Sequence, residues 1–317
     1  MMSTSYKSRF VQAESTEVRD DGQNNRPKFM IDSQRISNRI RLNNALKYLF
    51  SLSTVFSIFV LGVLLYQVGL DSIGWLDWQF LTSNLSIFPQ KAGIYGAIIG
   101  TILMMLIVIP VTIILGVSTA IYLEEYAQKG RLQYLINVNI SNLASVPSVI
   151  FGLLGLTVFG RLMNLGSSIL AGGLTMSLLV LPIVVVAAQE AIRAVPNFLR
   201  EASYAMGADK WTTVRKVVLP VAIPGILTGT ILAMSRAIGE TAPLVVLGIP
   251  TLIMRIPTSV MDDFTVLPIQ IYYWTLDAVL KPEYANLAAA TIVVLLVILF
   301  LMNSVAIIIR NKFQQRF

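Results

Sequence analysis

The fold of this chain is constrained above all by a series of long runs of apolar residues. The predicted runs are residues 45–70, 94–123, 143–159, 169–189, 222–248 and 286–309. An α-helix rises about 1.5 Å per residue, so about 20 apolar residues can cross the ~30 Å hydrocarbon layer of a bilayer. With 55% hydrophobic and 13% charged residues, the chain is too apolar for a soluble globule of its size. We therefore predict an all-α polytopic membrane protein, built as a bundle of six transmembrane helices.

The segments between and beside these runs define the predicted domain organisation. Residues 1–44 are polar and basic, and are predicted to form a cytoplasmic tail without fixed structure, except that a short amphipathic helix can form near its end. The first transmembrane helix is predicted at 45–70, the main helical domain at 92–310, and a short cytoplasmic C-terminus at 311–317. Within the main domain, residues 249–285 are partly apolar and are expected to be partly embedded in the membrane.

The distribution of lysine and arginine predicts the orientation of the helices. Most of these residues lie in the N-terminal tail, after the second run, in residues 201–220 and at the C-terminus. The opposite side holds Lys91, Arg161, Arg255 and Lys281. Because cytoplasmic loops carry an excess of positive charge, both termini and residues 201–220 are predicted to be cytoplasmic. This topology also explains the formal net charge of +7, so no nucleic-acid partner is expected.

The sequence lacks residue types and motifs on which most enzymes depend. It contains no cysteine and no histidine, which removes thiol chemistry, the commonest general base and the commonest metal ligand. It also contains no G-x-x-x-x-G-K-[ST] nucleotide-binding loop. We therefore predict that the chain is not an enzyme, binds no cofactor or metal, and takes the energy for any uphill transport from a partner.

Residues 201–220, with the sequence EASYAMGADKWTTVRKVVLP, are well charged and lie between the fourth and fifth apolar runs. They are predicted to form two short helices, because Gly207 can take the left-handed conformation that ends a helix. Asp209 is suited to cap the second helix, in which Trp211 and Val214 are expected to share one face. By itself, this pattern is typical of an ordinary cytosolic helical hairpin.

The order of residues in this segment is more specific than its helical pattern. Glu-Ala-Ser is followed after three residues by Gly207, and after nine more by Val-Val-Leu-Pro, which resembles the EAA loop of ABC importer permeases. Ser203 stands where that family usually has a second alanine. The resemblance implies a MetI-like type I importer permease bundle, in which residues 201–220 form a coupling segment that docks on the ATPase. The coupling residues that it implies are Glu201, Ala202, Gly207, Trp211, Leu219 and Pro220, the last two closing the segment before the fifth helix.

Two ionisable residues, Arg236 and Glu240, fall inside the fifth apolar run. Each ionised group costs about 2.5–3.5 kcal/mol at the centre of a membrane helix, so neither is expected to face lipid. At a spacing of four residues they share one helix face and can pair, with the hydroxyl groups of Ser235 and Thr241 nearby. Two interpretations remain open: an ion pair that joins two helices, or a pathway for a charged substrate, which these four residues would line.

The surroundings of this pair narrow the resemblance. The motifs that carry it are GILTG at 225–229, RAIGETAPL at 236–244, IYLEEY at 121–126, ASVPSV at 144–149 and IRNKF at 309–313. Over residues 92–317 the chain is similar to the permeases of bacterial phosphate ABC importers. This resemblance implies phosphate as the substrate and the bacterial inner membrane as the location. It also implies an assembly with a homologous permease (PstC-like), an ATPase dimer (PstB-like) and an external phosphate-binding protein (PstS-like).

Other functions remain as alternatives. One is a permease for another oxyanion, such as sulfate or molybdate. A secondary transporter driven by an ion gradient is disfavoured by residues 201–220 and by the lack of an obvious inverted repeat with broken helices. For any subunit of a larger assembly, glycine pairs such as Gly96–Gly100 and Gly225–Gly229 are expected to leave faces for a partner permease.

Overall fold

Helices make up nearly all of the regular structure in the described part of this chain. The computed structural model describes residues 33–250 and 256–313, and within those ranges strand-type pairing is limited to one bridge between Ser168 and Asp263. The helices are α1 Ser33–Ser72, α2 Trp78–Thr82, α3 Tyr95–Tyr126, α4 Arg131–Leu143, α5 Ser148–Leu162, α6 Ile169–Arg193, α7 Asn197–Ala205, α8 Lys210–Gly239, α9 Ala242–Leu247, α10 Leu267–Asp277 and α11 Glu283–Phe313. Wider, π-helical turns occur in α3, α5 and α8, at Tyr122–Tyr126, Leu156–Leu162 and Val214–Val218.

Five helices, α1, α3, α6, α8 and α11, are long and apolar enough to cross a membrane. α4 and α5 meet at a bend of 100° and supply a sixth crossing if the pair counts as one span. The bend has a local cause, since Pro147 has an extended backbone (φ −54°, ψ 135°) and lacks the amide hydrogen that a continuous helix requires. The predicted run at 143–159 therefore corresponds mainly to α5 and includes only the last residue of α4, so by itself it is not the whole bent span.

The N-terminal unit, residues 1–61, is described from Ser33 onward as the first part of α1. The side chains from Arg41 to Leu61 are all exposed. Residues 33–44, at the end of the predicted tail, contain neither glycine nor proline and are helical, and this helix continues into the first span. The rest of that predicted tail, residues 1–32, lies outside the described residues.

The second unit, residues 62–317, depends on glycine for its closest helix contacts. A Cβ atom on Gly229 of α8 would lie 2.3 Å from the Cβ of Ala187 in α6, and one on Gly225 would lie 2.8 Å from the Cβ of Ala191. On α3, a Cβ on Gly100 would lie 2.1 Å from a backbone oxygen of the segment before α10. These three glycines serve packing within the chain, so for them the prediction that they leave faces for a partner permease is wrong. A Cβ on Gly96 would meet nothing within 4 Å, and the prediction is not contradicted there.

The end of the connection between α9 and α10, together with the first turn of α10, is buried among the helices. Residues 264–270 are all buried, and a Cβ on Gly172 of α6 would lie 2.5 Å from the ring of Phe264. The backbone N–H of Leu267 donates to Oγ1 of Thr101 in α3 at 3.0 Å. The apolar part of the predicted connection is therefore embedded within the protein, and residues 251–255 lie outside the described residues.

The fifth apolar run is not one helix over 222–248, as predicted. α8 ends at Gly239, Glu240 has an extended backbone, and the short helix α9 follows. The physical reason is Pro243, which has no N–H to donate to the carbonyl of Gly239 four residues earlier and disfavours a helical residue before it. The charged pair consequently lies at a helix break rather than within a regular helix.

Candidate functional site: the coupling segment and the Arg236–Glu240 pair

The coupling segment consists of two helices joined at Gly207. The first, α7, begins at Asn197, four residues before Glu201. Gly207 has a φ of +81°, which confirms the predicted left-handed conformation. Asp209 takes the predicted N-cap position of the second helix, with an extended backbone but without a side-chain hydrogen bond that caps the helix. A hydrogen bond from the Thr212 hydroxyl lowers the pKa of the Asp209 carboxyl below its usual value, which keeps a negative charge at the positive end of α8.

The second helix does not end at Leu219 and Pro220, as predicted. α8 runs without interruption from Lys210 to Gly239, so the second half of the coupling segment is the beginning of the fifth span. The wide turn Val214–Val218 ends two residues before Pro220, which has no N–H and therefore leaves one hydrogen bond of the helix unmade. Leu219 and Pro220 are half-buried within α8 and do not belong to the exposed surface.

Large apolar side chains are exposed on the coupling segment and on the start of α7. They are Phe198, Tyr204, Met206 and Trp211. Trp211 is 57% exposed whereas Val214 is 1% exposed, so the prediction that they share one face is wrong. α7 covers α8 on the side of Thr213, whose Oγ1 lies 2.9 Å from Oγ of Ser203, and leaves Trp211 outside. With Glu201 and Ala202 also exposed, this surface has the composition of a protein contact site.

A set of contacts that the sequence analysis did not identify ties α7 to the end of α3. Arg200 donates from Nε and Nη2 to Oε1 of Glu125, at 3.1 and 2.8 Å. The same guanidinium group donates from Nη1 to the carbonyl of Val195 at 2.6 Å and from Nη2 to the carbonyl of Ile192 at 3.0 Å. The side chains of Arg200 and Glu125 are only 16% and 8% exposed. We call this pair of residues the clamp.

Glu124, beside the clamp, makes a parallel set of contacts with α6. Arg193 donates from Nε and Nη2 to its two carboxylate oxygens, at 2.9 and 2.7 Å. Gln189 bridges Glu124 and Asn137 of α4, at 3.0 and 2.9 Å. The end of α3 is therefore the point at which α4, α6 and α7 meet. The sequence feature that could have indicated these contacts is the pair of adjacent acidic residues, Glu124 and Glu125, at the end of a long apolar run.

The Arg236–Glu240 pair lies at the far end of α8 from the coupling segment. Nε of Arg236 lies 3.1 Å from Oε1 of Glu240, and the side chains are 54% and 20% exposed. Leu232, Arg236 and Gly239 are all exposed at helical spacing, so the pair borders an open face of α8. This ion pair links the last turn of α8 to its own C-cap residue, and it does not join two helices.

The two hydroxyl residues beside this pair have different surroundings. Oγ of Ser235 lies 2.8 Å both from the carbonyl of Ile231 and from Oδ1 of Asn303 in α11. Ser235 therefore ties α8 to α11, and Asn303 is a contact that the sequence analysis missed. Thr241 is half-buried at the N-cap of α9, directly after Glu240.

Neither a metal centre nor the apolar groove between α3, α8 and α11 coincides with the charged pair. In residues 33–250 and 256–313, no group of three or more His, Cys, Asp or Glu could hold a metal ion. A groove of about 520 Å³ between α3, α8 and α11 is lined almost entirely by apolar side chains and includes neither Arg236 nor Glu240.

Comparison with known families and proteins places the chain among transport proteins. Residues 112–317 match the family described as "Binding-protein-dependent transport system inner membrane component". The chain is 34% identical over 192 residues to the probable ABC transporter permease protein YqgI of Bacillus subtilis (strain 168). This match covers 61% of this chain and 65% of YqgI. The match thus spans just under two thirds of that relative.

Two relatives are matched over more of their length. The phosphate transport system permease protein PstA of Mycobacterium leprae (strain TN) is 32% identical over 271 residues, 82% of this chain and 86% of that protein. PstA of Yersinia pestis is 30% identical over 275 residues, 86% of this chain and 91% of that protein.

Solved structures of ABC importers share the fold. A chain of a bacterial transporter involved in the import of the acidic polysaccharide alginate has a TM-score of 0.57 at 14% identity, over 89% of this chain and all of that one. A chain of the inward-facing MetNI methionine transporter has a TM-score of 0.54 at 19% identity, over 68% of this chain and 94% of that one. The predicted fold of an ABC importer permease is thereby confirmed.

Proposed function

The chain belongs to the family of binding-protein-dependent transport system inner membrane components, and from this we propose that it is the permease subunit of an ATP-driven phosphate importer. It is a multi-pass membrane protein with the fold of ABC importer permeases. Phosphate as the substrate is supported by the two PstA relatives, which are phosphate transport permeases and are matched over most of their length. The observation that carries the proposal is α8, which bears part of the exposed coupling surface at its start and the Arg236–Glu240 pair at its end.

α8 provides a direct mechanical connection between these two places. Lys210 and Arg236 are separated by about 39 Å along one helix, at 1.5 Å per residue. Because no loop interrupts the helix, a rotation or shift imposed at Trp211 displaces Arg236 as well. This is the geometry that an importer needs to open or close a substrate path in response to a distant ATPase.

Arg236 has the chemistry to receive a phosphate ion. Its planar guanidinium group can hold two oxygen atoms at once, and it is half exposed on an open face of α8. Two opposite unit charges about 4 Å apart interact by about 4 kcal/mol at an effective dielectric constant near 20. Glu240 therefore competes with phosphate for Arg236, which promotes release and neutralises the empty site. Thr241 stands next to Glu240 on this path, and Ser235 positions α8 through Asn303.

The proposed assembly contains partners for both ends of the permease. The exposed surface of Phe198, Met206 and Trp211 would contact an ATPase dimer on the cytoplasmic side. Both termini would lie on the same side of the membrane. ATP hydrolysis would take place on that partner. A homologous permease (PstC-like) would supply the other half of the pathway, and an external phosphate-binding protein (PstS-like) would deliver the ion.

The experiment that tests this function is uptake of radiolabelled phosphate by proteoliposomes containing the complete complex. We expect uptake that requires ATP and the external binding protein, and that excess unlabelled phosphate inhibits more strongly than sulfate or molybdate. Stronger inhibition by sulfate or molybdate would identify another oxyanion as the substrate. Uptake that continues without ATP and stops when an ionophore dissipates the ion gradient would identify a secondary transporter.

A further inference from the structure

We propose that the clamp, Arg200 and Glu125, is a positioning device that makes α3 and α6 follow the coupling segment when the ATPase moves it. The inference rests on the proposed function, because it concerns how motion at the ATPase contact reaches the spans. The first route is α8 itself. The clamp adds a second route, which runs from α7 to α3 and α6.

The contacts of Arg200 connect three separate parts of the chain. Its side chain begins on α7, reaches the carboxylate of Glu125 at the end of α3, and donates to the carbonyls of Ile192 and Val195. Ile192 belongs to the last turn of α6, and Val195 lies in the linker that joins α6 to α7. One guanidinium group therefore closes the joint between α6 and α7 and fastens it to α3.

Burial makes this joint stiff. Arg200 and Glu125 are 16% and 8% exposed, so water cannot readily replace either partner if the two separate. A buried charge that loses its partner is strongly unfavourable, which means that the pair moves together or not at all. The exposed pair of Arg193 and Glu190 differs in this respect, because Glu190 is 65% exposed and solvent can replace its contact.

The contacts also explain why position 200 requires arginine. Four different acceptors surround it, namely Glu125, the carbonyls of Ile192 and Val195, and Oδ1 of Asn197, in directions that the fixed fork of a guanidinium group can satisfy together. Lysine would keep the charge but concentrates its donors on one atom at the end of a flexible stem. The start of α8 touches the same turn of α3, since Nζ of Lys210 lies 5.1 Å from the centre of the Tyr126 ring. Both halves of the coupling segment thus meet at the end of α3.

The test measures phosphate uptake and ATP hydrolysis in the same proteoliposomes, so that the ratio of phosphate imported to ATP hydrolysed is obtained. For Arg200→Lys we expect complex yield and ATP hydrolysis close to those of the wild type. We expect the ratio to fall by about tenfold, because hydrogen bonds to charged groups are among the stronger ones in proteins. Glu125→Gln should lower the ratio in the same direction. Glu190→Gln, which alters only the exposed contact of α6, should leave it unchanged.

A second measurement separates coupling from mere stability. The chain contains no cysteine, so spin labels can be attached to cysteines introduced at Ser118 of α3 and Ala205 of α7, both exposed. In a labelled complex that retains uptake, the distance between the labels should stay constant through the ATP cycle. With Arg200→Lys added, the distance should vary between nucleotide states.

The outcomes that would overturn the clamp differ from those that would overturn the proposed function. An unchanged ratio in Arg200→Lys, or a constant label distance in that variant, would show that the clamp does not transmit motion. A parallel loss of complex yield, ATP hydrolysis and uptake in both clamp variants would make it a folding contact only. If the wild-type complex itself imports no phosphate with ATP, the proposed function fails first.

Discussion

Gly207 offers the sharpest test of whether the angle between the two halves of the coupling segment controls transport. Its φ of +81° lies in the left-handed region, and a Cβ atom placed on it would meet nothing within 4 Å. A substitution here therefore changes the backbone preference without creating a steric clash. The left-handed conformation costs an ordinary L-residue about 1–2 kcal/mol, and β-branched residues avoid it more strongly.

This magnitude sets the expected result. A cost of about 1–2 kcal/mol corresponds to a change of roughly 5- to 30-fold in the population of the native geometry. We expect Gly207→Val to insert into the membrane and assemble normally but to lower ATP-driven phosphate uptake by about that factor. Gly207→Asn should retain most of the uptake, because asparagine visits the left-handed region more readily than other residues with side chains.

The chain provides a matched control for this experiment. Gly74 has a φ of +86°, and a Cβ atom on it would also meet nothing within 4 Å, but it lies in the connection between α1 and α2. Gly74→Val carries the same local strain and should leave uptake near the wild-type rate. Unchanged uptake in Gly207→Val, or an equal loss in Gly74→Val, would refute the assigned role of Gly207.

Two further predictions concern the charged pair and the contact between α6 and α8. Arg236→Ala should abolish phosphate uptake with complex yield unchanged, and Glu240→Gln should slow turnover more than it raises the KM for phosphate. Recovery of uptake in the charge-swapped double variant Arg236→Glu with Glu240→Arg would instead mark a structural ion pair. Gly229→Leu should lower the thermal stability of the purified complex, because its Cβ would lie 2.3 Å from that of Ala187 and overpacking costs about 1–3 kcal/mol. Gly69→Leu, where a Cβ meets nothing within 4 Å, should not lower that stability.

Part of this protein could be predicted without coordinates because the relevant physics is local or one-dimensional. Long apolar runs partition into lipid and must satisfy their own backbone hydrogen bonds, so helical spans follow from their length and composition. The left-handed conformation of Gly207 and the N-cap position of Asp209 depend on the preferences of single residues, and both were predicted correctly. The coupling segment was recognisable for the same reason, since its signal is the order of residues within one short stretch.

Other features could be decided only by the tertiary structure, because they depend on which distant residues meet. Arg200 and Glu125 are 75 residues apart, and Ser235 and Asn303 are 68 apart; no local pattern pairs them. The glycines of α8 were expected to contact a partner, but alanines of α6 pack against them. Trp211 is exposed because α7 covers the neighbouring face of α8. Hydrophobic periodicity shows that a helix has an apolar face, but the neighbour that covers this face is determined only when the helices pack.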